Sequence, residues 1–173
     1  MIHISKANTR RKVSRGPFTS RFLPLGRLLP DWDDHGLAQI GRLEHATLEA
    51  GALVPMHMHQ NEEILSYLRK GTMHHKDSDE NDLGIHNKYF MVFRSEVLFY
   101  DVRLEKDSAL PTPNLKGKTG LLYVFDGSLT IKSTGKTIEE GDSIVIKDEK
   151  LDLKSNEDSD LVFFVLDEQA SFS

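Results

Sequence analysis

Short apolar runs separated by turn-forming residues fill this chain, and that spacing leaves little room for anything but a β fold. Leu121–Phe125 leads through Asp126-Gly127 into Ser128–Lys132, which predicts a hairpin about a glycine turn. Ser133–Lys136 reads as another turn, and Ile138–Asp142 leads into a strand at Ser143–Ile146. Leu151–Lys154 and Leu161–Leu166 read as the last strands. Upstream, Leu83–Ile85, Tyr89–Phe93 and Val97–Leu104 have the same character, and Glu105–Lys118, with Pro111 and Pro113, reads as a polar connection. No window has the length and periodicity of a long helix. The expectation is an all-β sandwich or barrel.

The first third is less regular. Ile2-His3-Ile4 alternates and suits an edge strand. Arg10–Arg15 reads as a solvated basic loop. Phe18–Leu29 lies among Pro17, Pro24 and Pro30 and reads as irregular and partly buried, because proline removes a backbone donor. Asp31–Gly36 is a polar turn whose spacing fits no calcium loop. Leu37–Leu48 reads as one or two strands broken at Gly41, and Glu49–Ala52 as the turn that follows.

That turn opens Gly51–Ser78, where the chemistry concentrates. On an extended strand His57 and His59 face the same side, so both imidazoles can reach one metal ion. Glu63 follows after three residues and adds a carboxylate. Ile64–Leu68 is a short apolar run, and Gly71 marks a turn before the strand Thr72–Lys76. His74 and His75 are adjacent on that strand and face opposite ways, so at most one can share the side of His57 and His59.

The spacing itself is informative. Five residues separate Gly51 from His57, one separates the histidines, three precede Glu63 and seven precede Gly71. This resembles the first signature motif of the cupin superfamily, with one extra residue before the last glycine. The ending His75-Lys76-Asp77-Ser78 and the opening Met1–Ala7 resemble the pirin family of bicupins. The resemblance implies two cupin lobes, 1–95 carrying the His-x-His motif and 96–173 without metal ligands. It implies a divalent ion, iron(II) first, in the N-terminal lobe, with His57 and His59 as ligands. Glu63 would be a further ligand or the group that positions substrate. By the same resemblance the activity is that of a quercetin 2,3-dioxygenase on a small aromatic, and some family members regulate transcription factors instead. Nickel, manganese and zinc suit the same histidine–carboxylate donors. His75 would be a donor that orients a ligand.

An internal echo supports two lobes. Gly71 placed on Gly127, an offset of 56, lays Ile64–Leu68 on Gly120–Val124 and Asp77–Asn81 on Ser133–Thr137. His57, His59 and Glu63 then fall on Pro113, Leu115 and Thr119, so the second copy lacks the ligands. The first copy is also short: no strand pair follows Phe93 before Val97, where a pirin has a longer middle. The second pirin motif supplies a histidine and a glutamate, but here only Glu96, in Arg94-Ser95-Glu96, offers a carboxylate.

Composition closes off other classes. The 173 residues fit one domain or two small lobes. A net charge of −5 argues against a general nucleic-acid binder. The absence of cysteine excludes disulfides, thiolate catalysis and iron–sulfur clusters. No apolar run approaches the ~18 residues of a membrane span, and no apolar segment follows the basic residues near the N-terminus. A cytoplasmic location is the expectation. Two functions fit, a metal-dependent dioxygenase, favoured by the intact first motif, or a non-enzymatic cupin with a regulatory role, favoured by the missing second motif. A strand edge left open by the short middle would suit a homodimer.

Overall fold

Leu121–Phe125, the apolar run flagged above, lies inside an eight-residue strand that is buried on both faces. In the computed structural model, which describes residues 1–25, 36–38, 40–58, 64–76, 82–86, 89–90 and 97–167, this strand is β10, Thr119–Asp126. Four strands precede the metal-motif region: β1 (Ile2–Ser5), β2 (Lys12–Arg15), β3 (Phe18–Leu23) and β4 (Leu43–Leu48). Then come β5 (Ser66–Tyr67), β6 (Thr72–Lys76), β7 (Asp82–His86), β8 (Tyr89–Phe90) and β9 (Val97–Leu104). After β10 follow β11 (Ser128–Ile131), β12 (Lys136–Glu139), β13 (Ser143–Lys147), β14 (Leu153–Ser155) and β15 (Ser159–Leu166). The helical element among the described residues is one 3-10 turn, Ala7–Thr9. The all-β expectation holds.

The chain divides into two units. One comprises Met1–Ala50 with Glu96–Ser171, the other Gly51–Ser95 with Phe172–Ser173. The chain thus passes between units at residues 50/51 and at 95/96. The physical reason that residues 1–50 join the C-terminal residues is β1. It forms a full antiparallel ladder with β13, from Ile2 opposite Ile146 to Ser5 opposite Ser143, and so belongs to the sheet built by the C-terminal residues.

The larger unit is layered about a five-stranded antiparallel sheet in the order β1-β13-β10-β15-β9. One of its faces meets the three-stranded sheet β12-β11-β14. Leu122, Val124, Ile144, Ile146, Phe163 and Val165 from the large sheet pack there with Leu129, Ile131, Ile138 and Leu153 from the small one. On the opposite face Leu121, Tyr123, Val145 and Phe164 are also buried, and Tyr123 meets β4 through His45. Continuous apolar runs in β10 and β15, rather than alternating ones, are what two covered faces require. The edge strand expected at Ile2–Ile4 is β1, at the end of this sheet.

Three sequence expectations change. The first concerns Asp126-Gly127, which is not a hairpin turn. β10 pairs with β13 and β15, whereas β11 pairs with β12 and β14. The chain leaves one sheet for the other at Gly127, just after a bulge between Val124 and Asp126. A local glycine turn signals a reversal but not which sheet receives the next strand. The second concerns Phe18–Leu29: its first six residues form β3, paired with β2 and β4, because Pro17 and Pro24 fall outside the strand and remove no ladder donor. The third concerns the basic loop. Lys12–Arg15 is strand β2, and Arg10 is half-buried, donating to the Gly141 carbonyl.

The N-terminal segment is tied down by Asp142. This buried carboxylate accepts hydrogen bonds from the Ala7 amide (2.7 Å) and the Glu139 amide (2.9 Å), and pairs with Lys6 Nζ at 2.5 Å. Three donors compensate its removal from water.

Gly127 has φ +92°, and a Cβ there would sit 2.2 Å from Ser159 Oγ and 2.7 Å from the Asp158 carbonyl. Gly135, in the β11–β12 turn, has φ +67° with open space around it. Gly135→Ala should therefore cost only the backbone penalty of about 1–2 kcal/mol. Gly127→Ala should cost clearly more, read as a larger drop in the urea midpoint.

Candidate metal centre

The motif region begins at the turn Ala50–Gly51, and residues 52–58 follow with no strand pairing. His57 is therefore not on a strand, contrary to the expectation that it shares a strand face with His59. Pro55, two residues before it, has no backbone N–H to give to a ladder. Instead the Pro55 carbonyl accepts a hydrogen bond from His57 Nδ1–H at 2.9 Å. That bond fixes the tautomer: with the proton on Nδ1, the lone pair of the neutral ring is on Nε2. An imidazole held by a backbone carbonyl through one nitrogen is the form in which histidine ligates a metal through the other. His57 is exposed, as are its neighbours Met56 and Met58.

His59, Glu63 and Glu96, the other expected ligands, lie outside the described residues. Among the described residues no group of three or more His, Asp or Glu side chains is placed to hold a metal ion. His74 and His75 lie on β6, where burial alternates, leaving His74 exposed and His75 half-buried. The expectation that they face opposite ways holds.

The echo noted in the sequence reappears as connectivity. In the smaller unit β5 pairs with β8, Ser66 opposite Phe90, while β6 pairs with β7. In the larger unit β10 pairs with β13, Leu122 opposite Ile144, while β11 pairs with β12. In each copy a strand is followed by a glycine, then by a hairpin that pairs with itself, then by a strand returning to the first. The two glycines, Gly71 and Gly127, have φ +95° and +92°. Of the second-copy positions, Leu115 is buried in the core of the larger unit, and Thr119 begins β10 fully buried. Pro113 and Leu115 precede the strand rather than sitting on it, as residues 52–58 precede β5.

Comparison with known proteins decides the family. Residues 76–166, more than half of the chain, match the quercetinase C-terminal cupin domain family. The chain belongs to that family and is a pirin-like cupin. The crystal structure of YhhW from Escherichia coli matches it with a TM-score of 0.77 at 19% identity, covering 96% of this chain and 97% of that one. The bacterial pirin YhhW from Escherichia coli in complex with nickel(II) gives 0.75 at 19% identity, covering 96% and 99%. At that identity the likeness is one of fold. No match was found among the curated proteins. In this pirin-like cupin no helix among the described residues is long and apolar enough to cross a membrane.

One cluster had no signal in the sequence. His45 on β4 and Tyr123 on β10 are 2.8 Å apart, Nδ1 to Oη, with Arg10 beside the ring. Their separation along the chain, 78 residues, and the absence of any motif around either leave nothing to connect them before the fold is known.

The exposed His57 and the buried Leu115 should behave oppositely on truncation. With metal chelated, His57→Ala should leave the unfolding free energy within about 0.5 kcal/mol of the parent. Leu115→Ala should cost about 2–5 kcal/mol, both measured by denaturant unfolding.

Proposed function

We propose that this pirin-like cupin binds one divalent metal ion through His57, His59 and Glu63, with Glu96 as a further donor, and serves as a dioxygenase of the quercetinase type on a small aromatic. The observation that carries the reading is the Nδ1–H bond from His57 to the Pro55 carbonyl, which presents Nε2 in the ligating form at the residue the cupin spacing selects. The donor types agree with that choice, because two imidazoles and a carboxylate form the facial set of non-haem iron(II) oxygenases and also accept nickel, manganese or zinc. The name of the matching family and the nickel(II) complex of a similar fold point the same way.

When bound, such an ion supplies open positions and one-electron chemistry toward dioxygen and an aromatic. The contributions of the chain are positional. Pro55 holds the orientation of the His57 ring, and Glu63 either completes the ligand set or accepts a proton from the phenolic substrate. His75, half-buried on β6, is the candidate for orienting a ligand.

A second reading is a metal-poor cupin with a regulatory binding role. It is favoured by the absence of a His-x-Glu second motif: between Phe93 and Val97 the chain offers only Arg94-Ser95-Glu96.

Calorimetric titration with iron(II), nickel(II) and zinc(II) separates the readings. The parent should bind one ion, and His57→Ala/His59→Ala should lose at least the roughly 10–100-fold in affinity that even weaker perturbations of a metal site cost. Protons compete for imidazole nitrogens, so binding should fade as the pH falls below about 6. Metal-dependent oxygen uptake with quercetin supports the dioxygenase. Equal binding by both proteins, or none by either, leaves the regulatory reading.

A further inference from the structure

The larger unit holds a half-buried polar cluster around the fully buried Tyr123. His45 on β4 stands opposite Arg21 on β3 in the ladder and reaches β10, where its ring meets Tyr123 and Phe125 edge-on at centroid distances of 5.6 and 5.0 Å. Tyr123 is fully buried, so its hydroxyl depends on protein partners. One is His45 Nδ1 at 2.8 Å. Arg10 lies beside it, its guanidinium 5.9 Å from the ring centroid and donating to the Gly141 carbonyl.

We infer that the His45–Tyr123 pair is a proton-operated latch, holding the β2–β3–β4 sheet against β10 and releasing that sheet ahead of the rest of the unit on acidification. Protonating His45 places a third cation in this half-buried site beside Arg10 and Arg21. The groups facing the imidazole are Arg10 from the segment before β2, Arg21 from β3, Tyr123 and Phe125 from β10, and Glu140 with Asp142 from the turn between β12 and β13. Asp142 is engaged by Lys6 and two amides. Glu140 is left as the opposing charge, and it is exposed. Burial, helped by Arg21 and Arg10 and opposed by Glu140, lowers the His45 pKa from 6.5. The sign follows: the folded imidazole holds its proton less well than the unfolded one. The latch is complete above the unfolded value and is lost as the pH falls through the depressed folded value. The β1–β13 ladder is made of backbone hydrogen bonds and stays closed while the latch opens.

The inference is independent of metal binding and is tested with metal chelated. Hydrogen exchange of the whole chain is followed at pH 7.5, 6.5 and 5.5, with times scaled for the intrinsic rate. Protection of β4 relative to β13 should be lost progressively across that range. His45→Gln keeps an acceptor that does not titrate, and its ratio should stay flat. Parallel loss in both strands, no loss, or the same loss in the glutamine variant overturns the latch. If that variant fails to fold, an NMR titration of the parent decides. The His45 ring must titrate below about 6.5 and in step with β4 protection, and a midpoint at or above that value overturns the proposal.

Discussion

The larger unit depends on keeping β10 away from water on both of its faces. Leu121, Leu122, Tyr123 and Val124 are consecutive and all fully buried, so no single covering layer can satisfy them. Full burial of a leucine-sized side chain contributes about 1.5–3 kcal/mol, and this strand contributes to two cores at once. The switch of sheets at Gly127 serves one face by placing β11 over the strand it has just left. The N-terminal residues serve the other. The exception to the apolar run is the Tyr123 hydroxyl, which is buried with the ring and therefore brings His45 and Arg10 with it.

The folded polar groups are consequently few and specific. Asp142 orders the 3-10 turn at Ala7–Thr9 and the approach to β12 with one carboxylate. It sits at the turn where the chain returns from the small sheet to the large one. Arg10 closes over the same turn through the Gly141 carbonyl. The N-terminal segment is thus held by hydrogen bonds at one loop and by apolar contact along the strands. The first kind sets its position, and the second supplies most of the free energy.

Strand existence was legible because apolar runs bounded by turn residues report burial directly: Thr72–Lys76 and Val97–Leu104 begin and end where the pattern places them. Pairing was not. Asp126-Gly127 carries a hairpin signature, yet the partner of β11 is decided by which face of β10 needs cover, a property of the whole core. Pro24 ends β3 rather than abolishing it, because a proline at a strand boundary removes no ladder bond. For the candidate metal centre, the residue types and spacing singled out His57 and pointed to the family. The tautomer of His57 came from Pro55, whose significance lies in a backbone carbonyl that no side-chain pattern records. The His45–Tyr123 pair was invisible for a related reason, since long-range polar contacts between ordinary strand residues leave no local periodicity.

The ladder between β1 and β13 has a kinetic meaning. It joins residues 2–5 to residues 143–146, so the Gly51–Ser95 part of the smaller unit lies within the loop that this ladder closes. Closing a long loop costs entropy that grows only logarithmically with length, but contacts this distant in sequence slow folding. On a ribosome adding about 5–20 residues per second, Ile2-His3-Ile4 emerges well before its partner and waits on the order of ten seconds for it. During that interval a β-prone edge segment has no native strand to pair with, and all of Gly51–Ser95 is synthesised before the ladder can close.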